Sequence, residues 1–201
     1  NLSIEKMKLP LLLPLIFNME TEELVINEKK EIVLGGGCFW CIEAVFEEAN
    51  GVESIVSGYS GGKIKNPSYR EVSGSKTNHA EVCKITYDTT KITLSNILEI
   101  FFLAHDPTTL NRQGNDIGKH YRSIIFYNDQ SEKKIIEDYI KKINSSIFNN
   151  NIVTEVKQSD AFYLAENYHQ DYYKFNKEQP YCKIIISPKI SKARKKLSKY
   201  Y

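Results

Sequence analysis

From residue 31 the hydrophobic period switches repeatedly between strand and helix spacing, and the order of those switches restricts the fold more than any other feature. Glu31 to Leu34 reads as a short buried strand, and residues 40–49 as a helix ended by Asn50-Gly51. Val52 to Gly58 and Ala80 to Tyr87 read as strands, and Thr93 or Ser95 caps a helix that runs to about Ala104. Arg122 to Tyr127 is a further strand, Ser131 to Asn144 a helix and Ile152 to Gln158 a last strand. The order β-α-β-β-α-β predicts an α+β fold, the ferredoxin-like split βαβ sandwich, with helices covering one face of an antiparallel sheet. Two long connections, after Gly58 to about residue 78 and over 105–120, are dense in Tyr, His, Asp and Glu. Loops of that length inside a compact domain usually carry function. The predicted organisation is an N-terminal extension (1–30), one catalytic domain (31–187) and a basic, irregular, solvated C-terminal tail (188–201).

The composition fits one soluble globular domain: 201 residues, 41% apolar, 26% charged and a net charge of +2, too small to ask for a nucleic-acid partner. Four cysteines, at 38, 41, 83 and 182, are too few and too unevenly spaced for a disulfide framework. A Cys-x-x-Cys pair in such a chain points to redox or metal chemistry. No run reaches the length of a membrane span. Residues 9–17 follow Lys6 and Lys8 and faintly resemble a secretory signal, but two prolines interrupt them and no small-x-small site follows. A cytoplasmic monomer is expected, with export left open by that stretch.

Residues 35–41 are Gly-Gly-Gly-Cys-Phe-Trp-Cys, between the first strand and the first helix. A glycine turn thus delivers Cys38 to a helix start, where free amides and the helix dipole favour a thiolate and bring a cysteine from about 8.5 to roughly 3.5–7.5. Cys38 is therefore expected to be an ionised nucleophile at neutral pH. Such a thiol needs a proton-handling partner and a selective pocket. The candidates are Glu81 at a strand start, Tyr69 in Pro-Ser-Tyr-Arg-Glu, and Asp116 and Tyr121 around the second loop.

Several ordered blocks then carry a resemblance: Gly37-Cys-Phe-Trp40, Gly58-Tyr-Ser-Gly-Gly62, Asn66 to Val72, His79-Ala-Glu81, His105-Asp-Pro107, Arg112 to Asp116 and Tyr121-Arg-Ser123. Phe162 to Gln170 and Pro180-Tyr-Cys182 continue it. Over about residues 31–187 the chain resembles the A-type peptide methionine sulfoxide reductases. The resemblance implies that Cys38 attacks the sulfur of a methionine S-sulfoxide, protein-bound or free. Glu81 then protonates the oxygen, Tyr69 and Tyr121 donate hydrogen bonds to it, and Asp116 orders the cluster. Phe39 and Trp40 hold the methyl group. It also implies no bound cofactor and thioredoxin as the external reductant.

Attack leaves a sulfenic acid on Cys38, which a nearby thiol traps as a disulfide. Cys41, one helical turn on, is the resolving candidate. Family members often carry Gly there and place recycling cysteines in a Gly-rich tail, whereas this tail offers only Cys182, a second relay or a bystander. Cys83 reads as a small core residue, and His79 and His169 as structural hydrogen-bonders. His120 stands where the family usually has Gln. Two competing readings are a thioredoxin-like disulfide exchanger built on Cys38 and Cys41, and a zinc site.

Overall fold

The computed structural model describes residues 28–201, so the signal-like run at 9–17 lies outside the described residues. The elements in chain order are β1 (Lys29–Gly35), α1 (Phe39–Phe46), β2 (Val52–Ser60), α2 (Tyr69–Ser73), β3 (Ala80–Asp88), α3 (Leu94–Ala104), β4 (Arg112–Gln113), β5 (Asp116–Ile117) and β6 (Ile124–Tyr127). They continue with α4 (Gln130–Ser146), β7 (Glu155–Gln158), β8 (Tyr163–Leu164), α5 (Tyr172–Phe175) and α6 (Ser187–Lys196). The main sheet runs β7-β6-β1-β3-β2-β8. Its four central strands are antiparallel, β7 joins β6 in parallel, and β8 pairs antiparallel with β2. The four central strands with α1 and α3 are the expected split βαβ, set here inside a mixed six-stranded sheet.

Strand alternation decides which residues meet the helices. Ile32, Leu34, Cys83, Ile85 and Tyr87 point to one face and join Ile42, Val45 and Phe46 of α1 and Ile97 and Phe101 of α3 in one large core. Ala80, Val82, Ile124 and Phe126 form a smaller cluster on the other face, with Val33 and Phe162 packed against it. The helix starts follow local chemistry. Thr93 caps α3 by accepting from the Asn96 amide, and Asp129 caps α4 by accepting from Ser131 and Glu132.

Two segments depart from the sequence reading. The first long connection contains α2, opened by a reciprocal Ser68–Glu71 capping box. The C-terminal segment is neither irregular nor a solvated tail: it forms α6 and a closing 3-10 turn, Ser198–Tyr200. Ile190, Ala193, Leu197 and Tyr200 are all buried, at helical spacing, while Lys192, Arg194, Lys195 and Lys196 stay outside. Side-chain bonds lock the docking. The Tyr200 hydroxyl lies 2.6 Å from both Asn96 Nδ2 and Glu99 Oε2, and the Tyr201 hydroxyl donates to the Val45 carbonyl at 2.8 Å. The run of cations hid an apolar stripe.

Candidate active site

The glycine turn between β1 and α1 exists to bring two chain segments into contact. Gly37 has φ +89°, left-handed backbone that suits glycine, and a Cβ there would meet the Gln113 side chain. A Cβ on Gly35 would lie 2.8 Å from the Glu81 carbonyl oxygen. Cys38 is the residue just before α1, and the Cys41 amide donates to its carbonyl at 3.1 Å. The Phe39 amide donates to Glu81 Oε2 at 3.2 Å, so the carboxyl group sits over the helix start.

Glu81 is buried on β3, opposite Tyr59 of β2. Burial raises its carboxyl to about 8, and the Phe39 amide only partly offsets this. At neutral pH it is a protonated acid. Its second oxygen, Oε1, is buried and has no hydrogen-bond partner among the described residues. A neutral carboxyl with one free oxygen beside a cysteine is a proton donor awaiting an acceptor.

The two sulfurs near it differ from expectation. Burial pushes the Cys38 thiol well up, helped by Cys41 and by the charge of Glu81, and the Trp40 amide at the helix start does not compensate. Cys41 is lowered to about 7, by the Cys38 thiol beside it first and then by Lys189 and Tyr181, against the effect of burial. Burial thus works against the ionised Cys38 expected from the helix terminus, and within the pair negative charge is favoured on Cys41. One helix end cannot outweigh full desolvation. Cys182 is buried near enough to Cys41 to feel its charge, and Cys83 is buried in the core with its thiol donating to the Phe39 carbonyl at 3.4 Å.

The phenols of Tyr69 and Tyr121 stand side by side and share the field of Glu81 and Cys38. Burial raises both and keeps them protonated donors. Glu166 holds this wall, accepting from the Tyr69 amide and the Tyr59 hydroxyl, each at 2.8 Å. Asp116, on the β4–β5 hairpin, accepts from the Tyr181 hydroxyl at 2.9 Å, and that hydroxyl lies 3.8 Å from Cys41 Sγ. Asp116 is thus wired to the Cys41 side of the site. His120 packs on Tyr121 with ring centroids 4.0 Å apart.

An aromatic box faces the cysteine. Phe39 and Trp40 lie 4.9 and 5.6 Å, centroid to centroid, from the ring of His169, and Tyr69 lies 4.6 Å from it. Tyr172 stacks flat on Trp40 at 3.5 Å, with Tyr181 edge-on at 5.9 Å. His79 ties down a loop through the Gly62 amide and the Ile64 carbonyl, as its sequence reading holds. His169 does not fit its reading as a hydrogen-bonder: it is buried among aromatic rings, neither ring nitrogen has a hydrogen-bond partner among the described residues, and Glu166 Oε2 lies 4.0 Å from Nε2. Tyr181, Tyr172, Glu166 and His169 were not singled out for the site, although the blocks 162–170 and 180–182 contain three of them.

Comparison with known proteins decides the family. The profile described as peptide methionine sulfoxide reductase matches residues 30–200. The chain belongs to the peptide methionine sulfoxide reductase family. It is 53% identical over 165 residues to peptide methionine sulfoxide reductase MsrA of Trichodesmium erythraeum, covering 82% of this chain and 93% of that one. It is 54% identical over 162 residues to the MsrA of Sulfolobus acidocaldarius, covering 81% and 92%. Among solved structures, reduced Mxr1 of Saccharomyces cerevisiae superposes with a TM-score of 0.72 at 32% identity, over 77% of this chain and 90% of that one. The match through residue 200 places α6 within the family domain. Among the described residues no three of His, Cys, Asp and Glu gather as metal ligands, so the zinc reading has no supporting cluster.

Proposed function

We propose that this reductase converts methionine S-sulfoxide, protein-bound or free, to methionine, with Cys38 as nucleophile and Glu81 as acid. The observation that carries the assignment is the neutral, buried Glu81 carboxyl whose Oε1 is unpartnered beside Cys38. A sulfoxide sulfur resists attack until its oxygen is protonated, and general-acid help of this kind is typically worth about 10²–10⁴-fold.

The steps balance without a bound cofactor. The methyl group enters the box formed by Phe39 and Trp40, and Tyr69 and Tyr121 donate to the sulfoxide oxygen in a site poor in water. Cys38 sulfur bonds to the oxidised centre as Glu81 gives its proton to the oxygen, and the Cys38 proton passes to the Cys41 thiolate. Methionine leaves, the oxygen stays on Cys38 as sulfenic acid, and Glu81 is left ionised. Cys41 sulfur then displaces that oxygen as water, which takes up the Cys41 proton, and a Cys38–Cys41 disulfide remains. Glu81 recovers its proton from solvent. A dithiol protein of the thioredoxin class returns the two electrons, and the reaction takes place in the cytoplasm. Asp116, through Tyr181, orients the Cys41 side of the site.

The test is incubation with the separate S and R epimers of methionine sulfoxide and a small dithiol. Methionine forms from the S epimer alone. Equal rates for both epimers, or disulfide exchange without sulfoxide reduction, would remove the assignment.

A further inference from the structure

Among the buried groups that these steps leave unused, Glu43 has the most consequential contacts. It lies on α1 one turn after Phe39 and Trp40, and is only 3% exposed. Its carboxyl group, which burial raises to about 7, faces donors. Oε1 accepts from the Ser57 hydroxyl at 3.1 Å, and Oε2 accepts from the Tyr172 amide at 3.2 Å. Ser57, on β2, also approaches Cys83 Sγ at 3.9 Å, so the group reaches the floor of the sheet.

The segment it grips is also tied down by the Lys174–Glu47 ion pair and by the Tyr173 and Ser187 hydroxyls, 3.0 Å apart. Between β8 and α6 the chain forms α5 and a five-residue π-helix, Cys182–Ile186, and just before α5 Asp171 adopts left-handed backbone (φ 50°, ψ 31°), a conformation that costs energy for a non-glycine residue and that its neighbours help to hold. Two side chains fasten the turn itself. The Gln170 side chain bonds in both directions to the Ser57 backbone, at 2.9 and 3.0 Å, and Glu43 takes the next amide but one, that of Tyr172. Tyr172 is the ring stacked on Trp40, 3.5 Å away and tilted by 6°. The helix that carries Trp40 therefore also carries the carboxyl group that fixes the ring covering it.

We infer that Glu43 is a positioning residue that sets the width of the methyl pocket, by fastening the Asp171–Tyr172 turn to α1 so that Tyr172 holds the indole plane of Trp40. The inference rests on the reductase reading of the site. A pocket wall held in this way excludes a larger alkyl group. Released, it tilts, admits the larger group and binds the methyl group less well.

The chain has one tryptophan, so its fluorescence reports the stack directly, with or without turnover. Three variants are compared: Glu43→Gln, which sets an amide where donors converge; Ser57→Ala, which removes one orienting bond; and Tyr172→Ala, which removes the stack. Glu43→Gln shifts Trp40 emission in the direction of Tyr172→Ala. Its loss falls mainly on KM for methionine sulfoxide, about tenfold, and the preference for methionine sulfoxide over ethionine sulfoxide drops by a similar factor. Glu43→Asp restores part of both, and Ser57→Ala moves the same way but less, which serves if Glu43→Gln does not fold. Wild-type emission and wild-type methyl-over-ethyl preference in Glu43→Gln, or in Ser57→Ala should the former be unfolded, would overturn the inference. Absence of sulfoxide reduction by the wild-type protein would instead strike the reductase reading, and the emission series would still decide whether Glu43 holds the stack.

Discussion

At the residue scale the site turns on where three protons sit. Glu81 is held neutral to about 8 by burial, Cys38 stays a thiol, and Cys41 ionises near 7. A thiolate absorbance titration of the reduced protein should show a midpoint close to neutrality that disappears in Cys41→Ser. Cys38→Ser abolishes sulfoxide reduction. Cys41→Ser, lacking both proton acceptor and resolving sulfur, completes one slowed turnover and stalls without a small thiol. Glu81→Gln lowers kcat/KM by about 10²–10⁴. Its effect on stability has a definite sign. A carboxyl raised from 4.5 to about 8 stabilises the fold in its neutral form, fully so below the lower value, and that contribution is lost as pH rises through the upper one. The Tm of Glu81→Gln should therefore gain on that of wild type between roughly pH 5 and 8, and equal pH dependence of the two would contradict the assignment.

At the element scale the strand and helix order was legible because alternation and 3.6-residue spacing are strong over residues 31–158, and the split βαβ follows from them. Cys38 could be singled out from the glycine turn before a helix, whereas Glu81, Tyr69 and Tyr121 were weak candidates by position in and beside the long loops and took their roles from the family resemblance. The protonation of Cys38 could not be read, since burial is a property of packing and outweighs a helix end that the sequence does show. Nor could the partner of Asp116, because Tyr181 reaches it across 65 residues of chain. Helix α6 was missed for a different reason: its lysines and arginines dominate the composition, while Ile190, Ala193, Leu197 and Tyr200 recur at spacings of three and four. That docking has a measurable worth. Leu197→Ala should cost about 2–5 kcal/mol in denaturant unfolding, the usual range for a buried leucine. A cost near zero would mean that the helix contributes nothing to the fold.

At the scale of the whole molecule, one sheet and the helices packed on it converge on a single corner. Strand β1 ends there in the glycine turn, β3 supplies Glu81, α1 begins there, and the segments after β8 close the aromatic box over it. The core supports chemistry by fixing distances, and the same packing removes the water that would otherwise compete for the sulfoxide oxygen. The arrangement makes one quantitative demand on the chemistry: a single substrate equivalent must be reduced by the protein alone, at the expense of two of its own thiols. Reduced enzyme mixed with excess methionine S-sulfoxide, without external reductant, is to be quenched, its methionine counted and its disulfides mapped by mass spectrometry. The expected result is one methionine per chain and a Cys38–Cys41 bond; no methionine, or methionine formed with Cys38 still a free thiol, would contradict it.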